Sequence, residues 1–111
     1  MISVIIPTYN RGEHLIHVTK SLLDYLKRTY EVFEVIFVDD GSIDDTESVL
    51  KVLCDRHVEV GAIIMAHNCG QQNATLAGIR QAKYQVVLTM DDDLRYGLTG
   101  IKELVEKLNQ G

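Results

Sequence analysis

The chain has 111 residues, 46% of them hydrophobic and 24% charged, which is the make-up of one small globular domain with a single core. A net charge of −5 argues against phosphate-backbone binding, and so against nucleic acid, as its main task; an anionic ligand fits only if a metal carries the positive charge. No apolar run reaches the length of a membrane span.

The opening Met1-Ile2-Ser3-Val4-Ile5-Ile6 lacks a basic leader region and reads as a first strand, not a signal peptide. Its core, Ser3 to Ile6, is expected to stop at Pro7. Leu15, Val18, Leu22 and Leu26 then share one face of a helix. Val35 to Val38 reads as a second buried strand, closed by the turn residues Asp39-Asp40-Gly41-Ser42. Asp44-Asp45-Thr46-Glu47 suits a helix N-terminus, where carboxylates meet free backbone N–H groups; Val49, Leu50 and Leu53 give that helix its apolar side. A third strand falls within Val58 to Met65. Gln71 to Ala82 predicts a helix of small residues (Ala74, Ala77, Gly78, Ala82) able to lie close to a sheet. Val86 to Met90 is the fourth strand, and Ile101 to Leu108 an amphipathic helix.

Strands alternating with helices predict an α/β fold, three layers α/β/α with a mostly parallel sheet. Right-handed crossovers then bring every strand's carboxyl end to one edge. Three loops meet there: Pro7-Thr8-Tyr9-Asn10, Asp39-Asp40-Gly41-Ser42 and Asp91-Asp92-Asp93. Open α/β sheets bind ligands at that edge, where strand order reverses.

The aspartate run carries the chemistry. Three adjacent carboxylates at a buried strand's end repel one another and lose hydration, and a divalent cation offsets that cost with its preference for oxygen ligands. In an extended segment Asp91 and Asp93 point the same way while Asp92 turns aside. Standing alone, such a run is more simply a solvated acidic turn; the rest of the pattern tips the reading toward metal. Neither GxxxxGK[ST] nor GxGxxG occurs, so a bound diphosphate needs the cation. Tyr9 offers a flat ring to a base or ribose, or simply caps the core. Of Asp39 and Asp40, one is expected to accept an N–H from a base and the other to organise the turn with Ser42. His14 and His17 read as surface residues of the first helix. Cys54 and Cys69 have no metal-type spacing and read as reduced structural thiols of a cytoplasmic protein.

Four segments in order, Ser3-Val4-Ile5-Ile6-Pro7-Thr8-Tyr9-Asn10, Val38-Asp39-Asp40-Gly41-Ser42-Ile43-Asp44-Asp45-Thr46, Asn68-Cys69-Gly70-Gln71-Gln72-Asn73-Ala74 and Met90-Asp91-Asp92-Asp93-Leu94, resemble the nucleotide-binding half of an inverting family 2 glycosyltransferase. The resemblance implies the Rossmann-like part of a GT-A fold, truncated, with residues 1–111 forming the donor-binding part of a larger domain. It also implies a UDP- or GDP-linked sugar held by Pro7, Thr8, Tyr9, Asp39, Asp40, Asp91 and Asp92, and Mg2+ or Mn2+ held by Asp91 and Asp93. The Asn-x-Gly-Gln stretch is most similar to the branch that uses polyprenyl or dolichyl phosphate as acceptor, which implies work at the cytoplasmic face of a membrane. Three departures from that branch stand in the sequence: Arg11 for an acidic residue, His67 for an arginine, and Arg95-Tyr96-Gly97 for a glutamine- and proline-containing segment. The catalytic base is expected beyond Gly111, and an incomplete sheet is expected to self-associate. Two other readings compete. A phosphoacceptor receiver also clusters aspartates at strand ends, and a non-catalytic interaction domain could keep the same fold.

Overall fold

The computed structural model describes residues 1–92. In chain order these form β1 (Ile2–Thr8), α1 (His14–Thr29), β2 (Phe33–Asp39), α2 (Thr46–Arg56), β3 (Val60–Ile64), α3 (Gln71–Gln81) and β4 (Val86–Thr89). Every element expected up to β4 is present. The helix read over Ile101–Leu108 lies outside the described residues, as does Asp93.

All neighbouring strands run parallel, in the order β3-β2-β1-β4. A receiver-type sheet places its third strand beside the first. Here β2 and β4 flank β1, which removes that reading. Registered pairs Ile2–Phe33, Val4–Val35 and Ile6–Phe37 put one set of side chains on one face, and α1 (Leu15, Leu22, Leu26) and α2 (Leu50, Leu53) close over them. On the other face Ile5, Ile36 and Val38 meet Ala74 of α3. The sheet is thus sandwiched, and β1 and β2 are covered on both sides. That is why their sequences run apolar without alternation. Each fully buried leucine of α1 contributes about 2 kcal/mol of transfer free energy, far more than helix propensity supplies.

β1 does not stop at Pro7 but continues to Thr8, in register with Val38 and Asp39 of β2. The reason is directional. The carbonyl of Ile5 accepts from Met90, so alternate residues of β1, Pro7 among them, face β4. Pro7 has no N–H to donate, and the β1–β4 register ends at Ile5–Thr89. On the β2 side nothing is lost, and the Thr8 carbonyl accepts from Asp40 N at 2.9 Å. The proline therefore ends one ladder and spares the other, freeing the chain after β4 from the sheet.

Glu34 is buried in the middle layer. Its Oε2 accepts from Ser3 Oγ at 2.6 Å and from the Lys83 N–H at 2.7 Å, while Tyr84 N donates to Ser3 Oγ at 3.2 Å. These bonds satisfy the carboxylate and anchor the α3–β4 connection at the sheet's amino-terminal edge, away from the loops that matter below.

Candidate donor-binding site

Strand order reverses beside β1: the chain first builds outward through β2 and β3, then returns to add β4 on the other side. The carboxyl ends of β1 and β4 therefore diverge into a cleft, as in other open α/β sheets.

The β1–α1 loop is shaped by its neighbour. Asn10 sits at φ +52° and Gly12 at φ +41°, a left-handed conformation that asparagine tolerates and glycine adopts freely. Asn10 N donates to Ser42 Oγ at 2.8 Å, and its side-chain oxygen accepts from Ile43 N at 3.0 Å. The buried Thr46 hydroxyl accepts from the backbone N–H of Arg11 (3.1 Å) and Gly12 (2.9 Å) and donates to Asp44 Oδ1. The acidic stretch before α2 thus acts otherwise than as a simple cap. Asp45 holds the cap position without a side-chain bond, and Asp44 accepts the Thr46 N–H instead.

The Thr46 hydroxyl, and then its N–H, hold the Asp44 carboxyl below its ordinary range. A depressed folded-state value means that the contribution is complete above the ordinary carboxylate value and fades as pH falls through the folded one. Acidification below about pH 4 is therefore expected to loosen this clamp. Urea unfolding measured across that range should show a smaller acid dependence for Asp44→Asn than for the parent chain.

The two aspartates ending β2 have separate tasks. Asp39 Oδ1 accepts from Ser42 N at 3.0 Å and from Ser42 Oγ, organising the turn. Asp40 accepts from Cys69 N (2.8 Å) and Gly70 N (3.1 Å), tying the β3–α3 loop to the site. Gly41, at φ +74°, lies against that loop, and a Cβ there would come within 2.5 Å of Asn68 N.

After β4 the aspartates face different ways. Asp91 is exposed; Asp92 is buried, with its side chain 10% exposed. Asp92 Oδ2 accepts from Thr8 Oγ1 at 2.8 Å and lies 3.4 Å from Arg11 Nε. One pocket brings together Pro7, Thr8, Tyr9, Arg11, Asp40, Gln71, Asp91 and Asp92. Tyr9, 42% exposed, presents its ring there. Of the candidate residues named from sequence, Asp39 does not line the pocket, and Asp93 lies outside the described residues. Arg11 and Gln71 do line it and were not singled out as binders. Gln71 opens α3 at the same sheet edge, a position the β/α alternation already marked.

Other features stay apart from this cleft. A larger groove beside β2 and β3 is lined by Glu34, Val58, Ile63 and Tyr84, near the strands' amino-terminal ends. His14 and His17 are exposed on α1. Cys54 and Cys69 are free thiols, and burial, with Asp55 nearby, pushes the Cys54 thiol up, away from reactivity. Among the described residues no helix is long and apolar enough to cross a membrane.

A parallel sheet with helices on both faces, and with Tyr9 and acidic groups at its strand-order switch, defines an open α/β domain with a polar cleft at that edge. The Glycosyl transferase family 2 pattern matches residues 3–111, and the chain belongs to that family. It is 36% identical over 111 residues to an undecaprenyl-phosphate 4-deoxy-4-formamido-L-arabinose transferase of Pectobacterium atrosepticum, a match covering 99% of this chain and 34% of that protein. It thus spans about a third of the length of such curated relatives. A mannosyltransferase from Pyrobaculum calidifontis, solved with GDP-Man and Mn2+, superposes with a TM-score of 0.71 at 25% identity, over 83% of this chain and 27% of that one. S. aureus TarS in complex with UDP gives 0.65 at 27% identity, over 92% and 32%. The sheet is accordingly the Rossmann-like part of a GT-A-type fold.

Proposed function

We propose that this chain is the donor-binding part of an inverting glycosyltransferase that moves a sugar from a nucleoside diphosphate to a lipid phosphate or a saccharide. One observation carries the reading: Tyr9, Asp40 and Asp91, from three separate loops, line a single pocket at the strand-order switch. The Tyr9 ring supplies a stacking surface for the base, with Pro7 shaping the wall beside it. Asp40 fixes the β3–α3 loop and leaves its remaining lone pairs for a base N–H. Asp39 stands behind that surface, holding the turn through Ser42.

The donor chemistry suits Mg2+ or Mn2+, because Asp91 offers hard carboxylate oxygens at the pocket. Among the described residues no three His, Cys, Asp or Glu side chains gather as a metal set, so the reading assigns the cation to Asp91 together with Asp93. Such a cation supplies charge neutralisation of a leaving diphosphate. The relative that acts on undecaprenyl phosphate and the neighbours solved with GDP-Man, Mn2+ and UDP support the lipid-phosphate acceptor, the metal and the nucleotide. This reading places the domain in the cytoplasm, against the membrane face when the acceptor is a lipid.

Calorimetric titration of UDP- and GDP-sugars into the full-length chain, with and without Mn2+, tests the reading. Binding of one donor is expected, about tenfold or more weaker without metal, a difference of about 1.4 kcal/mol. Asp91→Asn should remove most of that metal dependence. A folded chain that binds neither donor, or binds equally well in a chelator, would overturn the reading.

A further inference from the structure

Asp91 and Asp92, adjacent after β4, do not share one environment. Asp91 is exposed at the pocket, whereas Asp92 is buried and held by two donors that converge on the same oxygen. Thr8, one of them, is itself buried at the end of β1. Arg11, the other, has its backbone N–H fixed by the Thr46 hydroxyl and its side chain 48% exposed along the pocket wall.

We infer that Asp92 is a positioning residue: Thr8 and Arg11 hold its carboxylate and thereby fix the acidic segment after β4 so that Asp91 faces the pocket. The need for such a latch follows from the sheet. Pro7 cannot donate the next rung to β4, so the backbone beyond Met90 loses its ladder where it must be placed most accurately. The side-chain bond from Thr8, one residue further along β1, replaces that missing rung. Arg11 offsets the cost of burying the charge and connects the segment to the Asn10–Thr46 framework. With Asp92 turned into the buried bonds with Thr8 and Arg11, its neighbour Asp91 is left exposed at the pocket. In this arrangement the Thr8 hydroxyl proton is spent on Asp92, and that bond contributes to donor binding through the loop.

Hydrogen exchange and nucleotide binding test this on the full-length chain. Thr8→Val preserves side-chain shape and removes the hydroxyl; Thr8→Ser restores it; Arg11→Met removes the ion pair at a half-exposed site. In the ligand-free protein, Thr8→Val and Arg11→Met are expected to speed exchange of the Asp91 and Asp92 amides about tenfold while amides of β2 and α1 stay unchanged, and Thr8→Ser to return them to the parent rate. The Mn2+ concentration that half-saturates GDP or UDP binding should rise about tenfold or more in Thr8→Val and Arg11→Met, the size seen when groups orienting a metal ligand are removed. The Arg11 guanidinium is a cation and no metal ligand, so an effect shared by Thr8→Val and Arg11→Met cannot be the loss of a ligand. Unchanged exchange at Asp91 and Asp92 in both variants would overturn the proposal. So would an effect of Asp92→Asn on metal affinity that Thr8→Val and Arg11→Met do not share, since that would make Asp92 a direct ligand. The binding arm rests on the donor-site reading. If the parent chain binds neither nucleotide, that reading fails, and exchange in the ligand-free protein still decides the latch.

Discussion

Gly78→Val is expected to cost about 3 kcal/mol of folding stability, and Gly78→Ala about 1 kcal/mol. Two effects oppose each other at this position. A glycine inside a helix is worse than alanine by about 1 kcal/mol, so propensity alone says that alanine stabilises. Packing says the reverse. A Cβ on Gly78 would collide with Ile5 Cγ2 and come within 3.0 Å of Val38 Cγ2, both in the middle layer of the fold. β-branched side chains buried in a sheet have little freedom to rotate away, so packing wins. The collision is with β1, the strand that leads into the pocket, so valine should weaken donor binding as well as stability. Urea unfolding of both variants checks the sign; an alanine variant more stable than the parent would show that α3 does not lie this close to β1.

The second large effect is expected at Asp40. Asp40→Ala should lower stability by about 2 kcal/mol and remove nucleotide binding, while Asp40→Asn should cost about half as much. The buried carboxylate accepts two backbone N–H bonds; alanine leaves the Cys69 N–H without its acceptor, while the Gly70 N–H keeps only Asn68 Oδ1 at 3.1 Å. Asparagine keeps one acceptor oxygen and sets an amide donor against the other N–H. Unfolding in urea and titration of GDP and UDP measure the two consequences separately. Stability equal to the parent in Asp40→Ala would mean that the β3–α3 loop is held by something other than this side chain.

Much of the architecture was readable from patterns of spacing. The apolar positions Leu15, Val18, Leu22 and Leu26 are all buried, because a helix packed on a sheet must turn one stripe inward. The small residues of α3 anticipated its close approach to β1. Boundaries moved where a neighbouring strand intervened. β2 extends to Phe33 and Asp39 because β1 pairs along that whole length. β1 runs past its proline because the lost donor faced β4, whereas the ladder with β2 needs nothing from it. Glu34 gave no warning of its burial, since its acceptors are matched by Ser3 and Lys83, which lie 31 and 49 residues away along the chain.

The site divides in the same way. That one of Asp39 and Asp40 would serve the turn was expected from the Asp-Asp-Gly-Ser grouping. Which one did so depended on where Cys69 and Gly70 came to rest. That Asp92 would turn aside from Asp91 was expected from the two-residue repeat of an extended chain, but Asp92 stands in a turn, and its burial beside an exposed Asp91 comes with its bonds to Thr8 and Arg11. What it would meet there did not follow, because Thr8 and Arg11 stand more than 80 residues earlier. The sequence by itself determined the alternation of strands and helices, the apolar faces, and the gathering of three polar loops at one sheet edge, because these depend on local periodicity and on the handedness of crossovers. Only the tertiary structure decided the order β3-β2-β1-β4, the partners of the buried carboxylates, and which acidic residues line the pocket. Those depend on contacts between distant segments, and local periodicity carries no record of such contacts.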